Sequence, residues 1–246
     1  MEVHAHAHTP RKKWTHYLWE FLMLFLAVFC GFMAENKRER MAEHHREVDY
    51  MQSMVEDIAT DTMMLSGPLT FAENLPPKFD SLTHLIYTHQ FNDSIVKVIY
   101  RLHITTVNPI FAINFAKRTA AQLQNAGGMR LIKSKEASDA IAAYWQSVAG
   151  IEINRDNYEI YRKDLLFFSH RIFSREYFAS PISLFDPVFI STPAFMTNDP
   201  AVLKEYANRV SQLSAVLSYF YRKNIVKHIA LGREVIGIIK KEYHLE

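Results

Sequence analysis

Cysteine occurs once in the 246 residues, at Cys30, so no internal disulfide and no cysteine-rich zinc site can be built. Glycine (7) and proline (9) are scarce, which excludes a collagen-like or turn-rich all-β chain. An excess of one charge is missing too. Lys and Arg number 28 against 26 Asp and Glu, and a net charge of +2 gives no general case for nucleic-acid binding. Internal repeats and alternating strand patterns longer than a few residues are absent. So are the usual chemical signatures: Gly-x-Ser-x-Gly, a phosphate-binding glycine loop and His-Glu-x-x-His. Against these absences stands a hydrophobic fraction of 49% with 22% charged residues, which excludes a disordered chain.

The strongest positive signal lies near the N-terminus. Phe21 to Ala34 reads FLMLFLAVFCGFMA, an unbroken apolar run. Trp14, Tyr17, Leu18 and Trp19 extend it and supply amphipathic rings of the kind that sit at headgroup level. Trp14 to Ala34 spans roughly 31 Å as a helix, which matches a bilayer core. The Gly31-Phe32-Met33-Ala34 sequence makes a poor signal-peptidase site, so an uncleaved anchor is expected. Glu20 is the anomaly within the span. It either reaches the headgroup layer or pairs with another helix, and Ala27 and Gly31 would permit a close helix approach.

Lys/Arg counts on the two flanks do not decide the orientation. The preceding tail carries Arg11, Lys12 and Lys13 with no acid after Glu2, whereas the following basic residues alternate with Glu35, Glu39, Glu43 and Glu47. Beyond the span there is no cysteine, which suits an oxidising compartment. The expectation is a cytoplasmic N-terminus and a C-terminal domain outside, at the inner membrane of a bacterium.

Four segments follow: a basic, His-rich tail over 1–13, the anchor helix over 14–34, a stalk helix over 35–66 and a helical domain over 67–246. The fold class expected is all-α, an anchor helix continuing into an elongated antiparallel helical bundle. In the stalk, His44, Val48, Met51, Val55, Ile58, Thr62 and Leu65 recur at helical spacing. That stripe either packs on its own domain or self-associates as a coiled coil. Ser66-Gly67-Pro68 is read as its end and 67–79 as a loop. Asp80 and Asn92 are read as caps of short helices, Asn108-Pro109 as the start of another that ends at Gly127-Gly128, and Ser134 as the cap of a long helix. A last helix starts near Asn198-Asp199-Pro200 and carries Leu203, Tyr206, Val210, Leu213, Leu217 and Phe220 on one stripe, which Asn224 continues as a polar position.

Candidate chemistry is thin. His4, His6 and His8 alternate in the tail, but fixed geometry for a metal is missing. His44 and Glu47 share a helix turn, yet no Glu-x-x-His exists to build a di-iron site. No catalytic, cofactor-binding or metal-binding residue is assigned, and no enzyme is expected. The 24 residues from Tyr177 to Pro200 hold four prolines and many large apolar side chains. They either cover one end of the domain or offer Phe185, Phe189 and Phe195 as a patch for a partner.

Two stretches resemble a family of single-pass membrane proteins of the Bacteroidota that carry a domain of unknown function. In Lys12–Arg40 a Glu precedes the apolar span and an Asn follows it, here Glu20 and Asn36. In Ala120–Trp145 a Leu and a small-residue turn lead to Leu-Ile, a helix cap and Ile-x-x-Tyr, here Ile141 and Tyr144. The resemblance implies the anchor and a helical domain, and supplies no catalytic residue.

The function expected is therefore a membrane-anchored extracytoplasmic scaffold or accessory subunit. Its partners would be the lipid bilayer and another envelope protein or a second copy of itself. The alternative is a ligand-binding helical sensor domain, with Tyr144, Trp145, Tyr158 and Tyr161 lining a pocket.

Overall fold

A computed structural model of the chain describes residues 13–88, 91–110, 112–125, 128–180, 182–184 and 186–246. His4, His6 and His8 of the tail, the Gly127 turn position and Phe185 lie outside the described residues. Among the described residues eight α-helices follow one another: α1 (Trp14–Met64), α2 (Ser66–Asn74), α3 (Pro76–Tyr87), α4 (Asp93–Val107), α5 (Arg118–Asn125), α6 (Lys135–Ser169), α7 (Pro200–Val216) and α8 (Lys223–Tyr243). Short 3₁₀ turns occupy Gly128–Arg130 and Arg175–Tyr177, and a π-helical turn, Leu217–Arg222, joins α7 to α8. No strand occurs among the described residues, only an isolated antiparallel bridge between Phe178 and Phe189. The chain is all-helical.

Two compact units divide it, Met1–Tyr50 and Met51–Glu246. In the first, α1 presents Trp14, Phe21, Met23, Leu24, Phe25, Val28, Phe29 and Phe32 on its surface, all exposed. It is long and apolar enough near the N-terminus to cross a membrane, and none of that apolar window is buried. Phe21, Phe25 and Phe29 stack in succession at one-turn intervals.

In the second unit the rest of α1 turns to a different task. Met51, Met54, Ile58 and Leu65 are buried, so from Met51 onward the apolar stripe is consumed by its own domain. Gly232 on α8 allows the close approach here. A Cβ at that position would lie 2.6 Å from Thr62 Cγ2 and 3.3 Å from Ile58 Cγ2. The main core gathers Phe79 and Leu82 of α3, Ile99 and Tyr100 of α4, Leu165 of α6, and Tyr206 and Leu213 of α7. α6 packs on α7 and α8, and α3 packs on α4 and α7.

Two caps act where the sequence puts them, at Asn92 and Ser134, and Asp199 caps α7 as well. Asn92 Oδ1 accepts from Ile95 N–H, Ser134 Oγ from Ala137 N–H, and Asp199 Oδ1 from Ala201 N–H. Ala137, Ile141, Tyr144, Val148, Ile151, Tyr158, Leu165 and Phe168 form the buried face of α6.

Other boundaries differ from the sequence reading. Residues 67–79 are helical, not a loop. Pro68 falls in the first turn of α2, and Pro76 and Pro77 open α3, where a missing N–H costs no hydrogen bond. Asp80 therefore lies inside α3. Asn108-Pro109 starts no helix, and α5 begins only at Arg118. The π turn adds a residue to the register, so the buried face continues through Tyr221, Ile225 and His228, while Asn224 is only half-buried.

Candidate functional site

Polar groups inside an apolar core are the first places to look for chemistry, and this core holds two sets. The first begins on α1, where Asp57 and Asp61 sit one turn apart and both are buried. Asp61 Oδ1 accepts from Ala116 N–H at 2.7 Å and Oδ2 from the Tyr144 hydroxyl at 2.7 Å. Asp57 Oδ2 accepts from Thr119 N–H at 3.1 Å, and its other oxygen lies 3.5 Å from Arg118. Thr119 is in the first turn of α5, so a carboxylate from α1 serves as that helix's cap across a long stretch of chain.

The Tyr144 ring lies 4.7 Å from that of His228, whose Nδ1 is 2.8 Å from Ser147 Oγ. Burial raises Asp61 above the usual carboxylate range, opposed by its two hydrogen bonds. Burial, and then the bond to Asp61, raise the Tyr144 phenol. Burial lowers His228 to about 4. Both Asp61 oxygens are occupied by donors from this chain, so the group ties α1 to α6 and to the segment before α5. It offers no open base.

The second set surrounds His103 on α4. Its Nδ1 is 2.9 Å from the Tyr206 hydroxyl, and its ring stacks on Phe173 at 4.3 Å with planes 5° apart. Burial lowers His103 to about 3, with His170 adding a smaller push in the same direction. Tyr100 next to it donates to the Ala194 carbonyl at 2.7 Å and accepts from Ser174 N–H at 3.1 Å. Burial raises Tyr100 to about 12. A cavity of about 240 Å³ opens here, between α4, the end of α6 and the proline-rich segment.

That segment covers the core. Ala179 N–H donates to the Val188 carbonyl and Ile190 N–H to the Tyr177 carbonyl, each at 2.9 Å. Phe189 packs on Phe178 at 4.7 Å, under Lys97. Phe195 stacks on Tyr100 at 6.1 Å and meets Phe91 and Phe173 edge-on at 5.2 and 5.9 Å. Both are partly buried against the core, which favours the covering role over a free patch. Replacing Phe195 with Ser is expected to cost about 2–3 kcal/mol, less than the roughly 3–5 kcal/mol for a fully buried Phe because the ring is only partly buried. A thermal melt of the variant checks this. Unchanged melting would leave the ring without a structural role.

Glu20 has a partner on its own helix, His16 Nε2 at 3.0 Å, one turn earlier. His44 Nδ1 lies 3.6 Å from Glu47. The four aromatic residues expected to line a pocket are dispersed. Tyr144 and Tyr158 are fully buried, Tyr158 stacks on Tyr221 at 6.2 Å, and Tyr161 is exposed at the edge of α6's buried stripe. No group of three or more His, Cys, Asp or Glu that could hold a metal occurs among the described residues.

The two sets were not visible as sites in the sequence, although a signal existed. Asp57 and Asp61 border an apolar stripe at a spacing of four. His228 sits within the helical series Tyr221, Ile225, His228, Gly232, Val235 and Ile239. Comparison with family models, with curated proteins and with solved structures gives no match.

Proposed function

We propose that this chain is a membrane-anchored helical scaffold or accessory subunit that acts through protein–protein contact. One observation carries the reading. The first half of α1 exposes a continuous sleeve of large apolar side chains, and no part of that window is buried. A sleeve of that size is costly in water and is relieved by a bilayer. In this reading Trp14–Ala34 crosses the inner membrane of a bacterium, the basic tail stays in the cytoplasm, and the domain is periplasmic. The helices of the domain form an elongated antiparallel bundle. Of the stalk over 35–66, residues 35–50 belong to the first compact unit and are the part offered for coiled-coil contact. The resemblance to the Bacteroidota membrane family points the same way, and the absence of an open catalytic constellation in the two polar sets favours an interaction role over an enzyme.

Two experiments test it. Affinity purification of the full chain from its native membranes is expected to retain another envelope protein or a second copy. Retention of neither contradicts the reading. Glu20→Leu and Glu20→Gln then separate the roles of the intramembrane acid. Weaker assembly with Leu than with Gln assigns Glu20 to pairing between helices. Equal assembly in the wild type and both variants removes the pairing role and leaves Glu20 reaching to the headgroup layer.

A further inference from the structure

We propose that the cavity beside His103 binds a small organic carboxylate with an apolar body. The inference goes beyond the anchoring role and does not depend on it.

The floor of the cavity is apolar and buried, made by Ile104, Phe173 and Phe178 with the Tyr100 ring. Two buried polar side chains are set into it: His103, which is 5% exposed, and Ser169, whose hydroxyl is already spent on the Leu166 carbonyl. The buried Tyr206 hydroxyl has His103 Nδ1 as its only hydrogen-bond partner among the described residues, so it donates its proton there. The proton of the neutral imidazole then sits on Nε2, the one ring nitrogen left for a ligand. An N–H donor set among apolar walls favours an acceptor.

The rim supplies the charge. His170 and Arg175 line the mouth and are exposed, and no acidic side chain is among the lining residues. Glu176 follows Arg175 in the chain but does not line the cavity. The Arg175 guanidinium has no ion-pair partner among the described residues, so its planar fork is available for a carboxylate. At about 240 Å³ the cavity lies below the roughly 300–1,000 Å³ of pockets that take drug-sized ligands. A single ring or a short chain fits that space. A bare inorganic anion would leave the aromatic floor uncovered. One wall comes from Phe178, Ile182 and Leu184 of the proline-rich segment, which gives that long irregular connection a use.

The test is calorimetric titration of the full chain in lipid nanodiscs with phenylacetate and with hexanoate. Phenylacetamide serves as the neutral control and inorganic phosphate as the bare anion. Saturable binding of at least one carboxylate is expected. It should weaken roughly tenfold or more on replacing the carboxylate by the amide, and by a similar factor in Arg175→Gln, as loss of a charge-assisted bond implies. Arg175 is exposed, so the variant retains its fold, and an unchanged melt confirms that. The proposal is overturned if neither carboxylate saturates, if phenylacetamide or phosphate binds as tightly, or if Arg175→Gln leaves affinity unchanged.

Discussion

Lowering the pH from 7 to 5 is expected to destabilise the helical domain by about 4 kcal/mol, roughly 10 °C in melting temperature for a domain of this size. Two buried imidazoles cause it. His103 falls from 6.5 to about 3 in the folded chain and His228 from 6.5 to about 4. Between those values and 6.5 the unfolded chain binds protons that the folded chain refuses. Stability is therefore full above pH 6.5 and is lost as pH falls toward the folded values, about 2 kcal/mol per histidine at pH 5. Asp61 acts in the opposite sense. Its raised folded value stabilises the fold below the usual 3.8 and is lost as pH rises through the folded value, so it offsets part of the loss on acidification. His228→Gln, which keeps a hydrogen-bonding group near Ser147, is expected to remove about half of the pH dependence. Equal melting of the wild type at pH 7 and pH 5 would contradict the burial of both rings.

Asp61→Ala is expected to cost about 3 kcal/mol at neutral pH. The variant leaves the Ala116 N–H and the Tyr144 hydroxyl buried without an acceptor, at about 1–3 kcal/mol each, while removal of a buried acid offsets part of that cost. Asp61→Asn keeps one acceptor and is expected to be milder. Tyr144→Phe removes one of the two donors and should cost about 1 kcal/mol. Thermal melts of the three variants check the order Ala, then Asn, then Phe. Asp61→Ala should also lose stability more steeply on acidification than the wild type, because the opposing titration is gone. A melting point for Asp61→Ala within a degree or two of wild type would mean that the α1–α6 tie is not formed.

Long regular helices were legible in the sequence because one pattern decides them. In α6 the cap at Ser134 agrees with a recurring apolar stripe, and Ala137, Ile141, Tyr144, Val148, Ile151, Tyr158, Leu165 and Phe168 on it are buried. The boundaries that misled have physical causes. Proline breaks a helix from within but opens one at its first turn, so Pro68, Pro76 and Pro77 read equally well as a loop. The start of α5 is capped by Asp57, a residue distant in sequence, and no local motif could announce it. The π turn at Leu217–Arg222 shifts the helix face by a residue, which carries Tyr221 and His228 inward and leaves Asn224 only half-buried. The polar sets were hidden for a related reason. Each joins residues from helices far apart in the chain, His103 with Tyr206 and Asp61 with Tyr144, and a lone His or Asp on an apolar stripe does not name its partner.

We propose that the exposed apolar half of α1 is a membrane anchor and that the rest of the chain folds without it. Membrane fractionation of the full chain beside a 35–246 fragment tests this most directly. The full chain is expected to stay with the membrane through alkaline extraction, and the fragment to be soluble and helical with a cooperative melt. A full chain released by alkaline extraction, or a fragment that is insoluble while the full chain is well behaved in detergent, would contradict it.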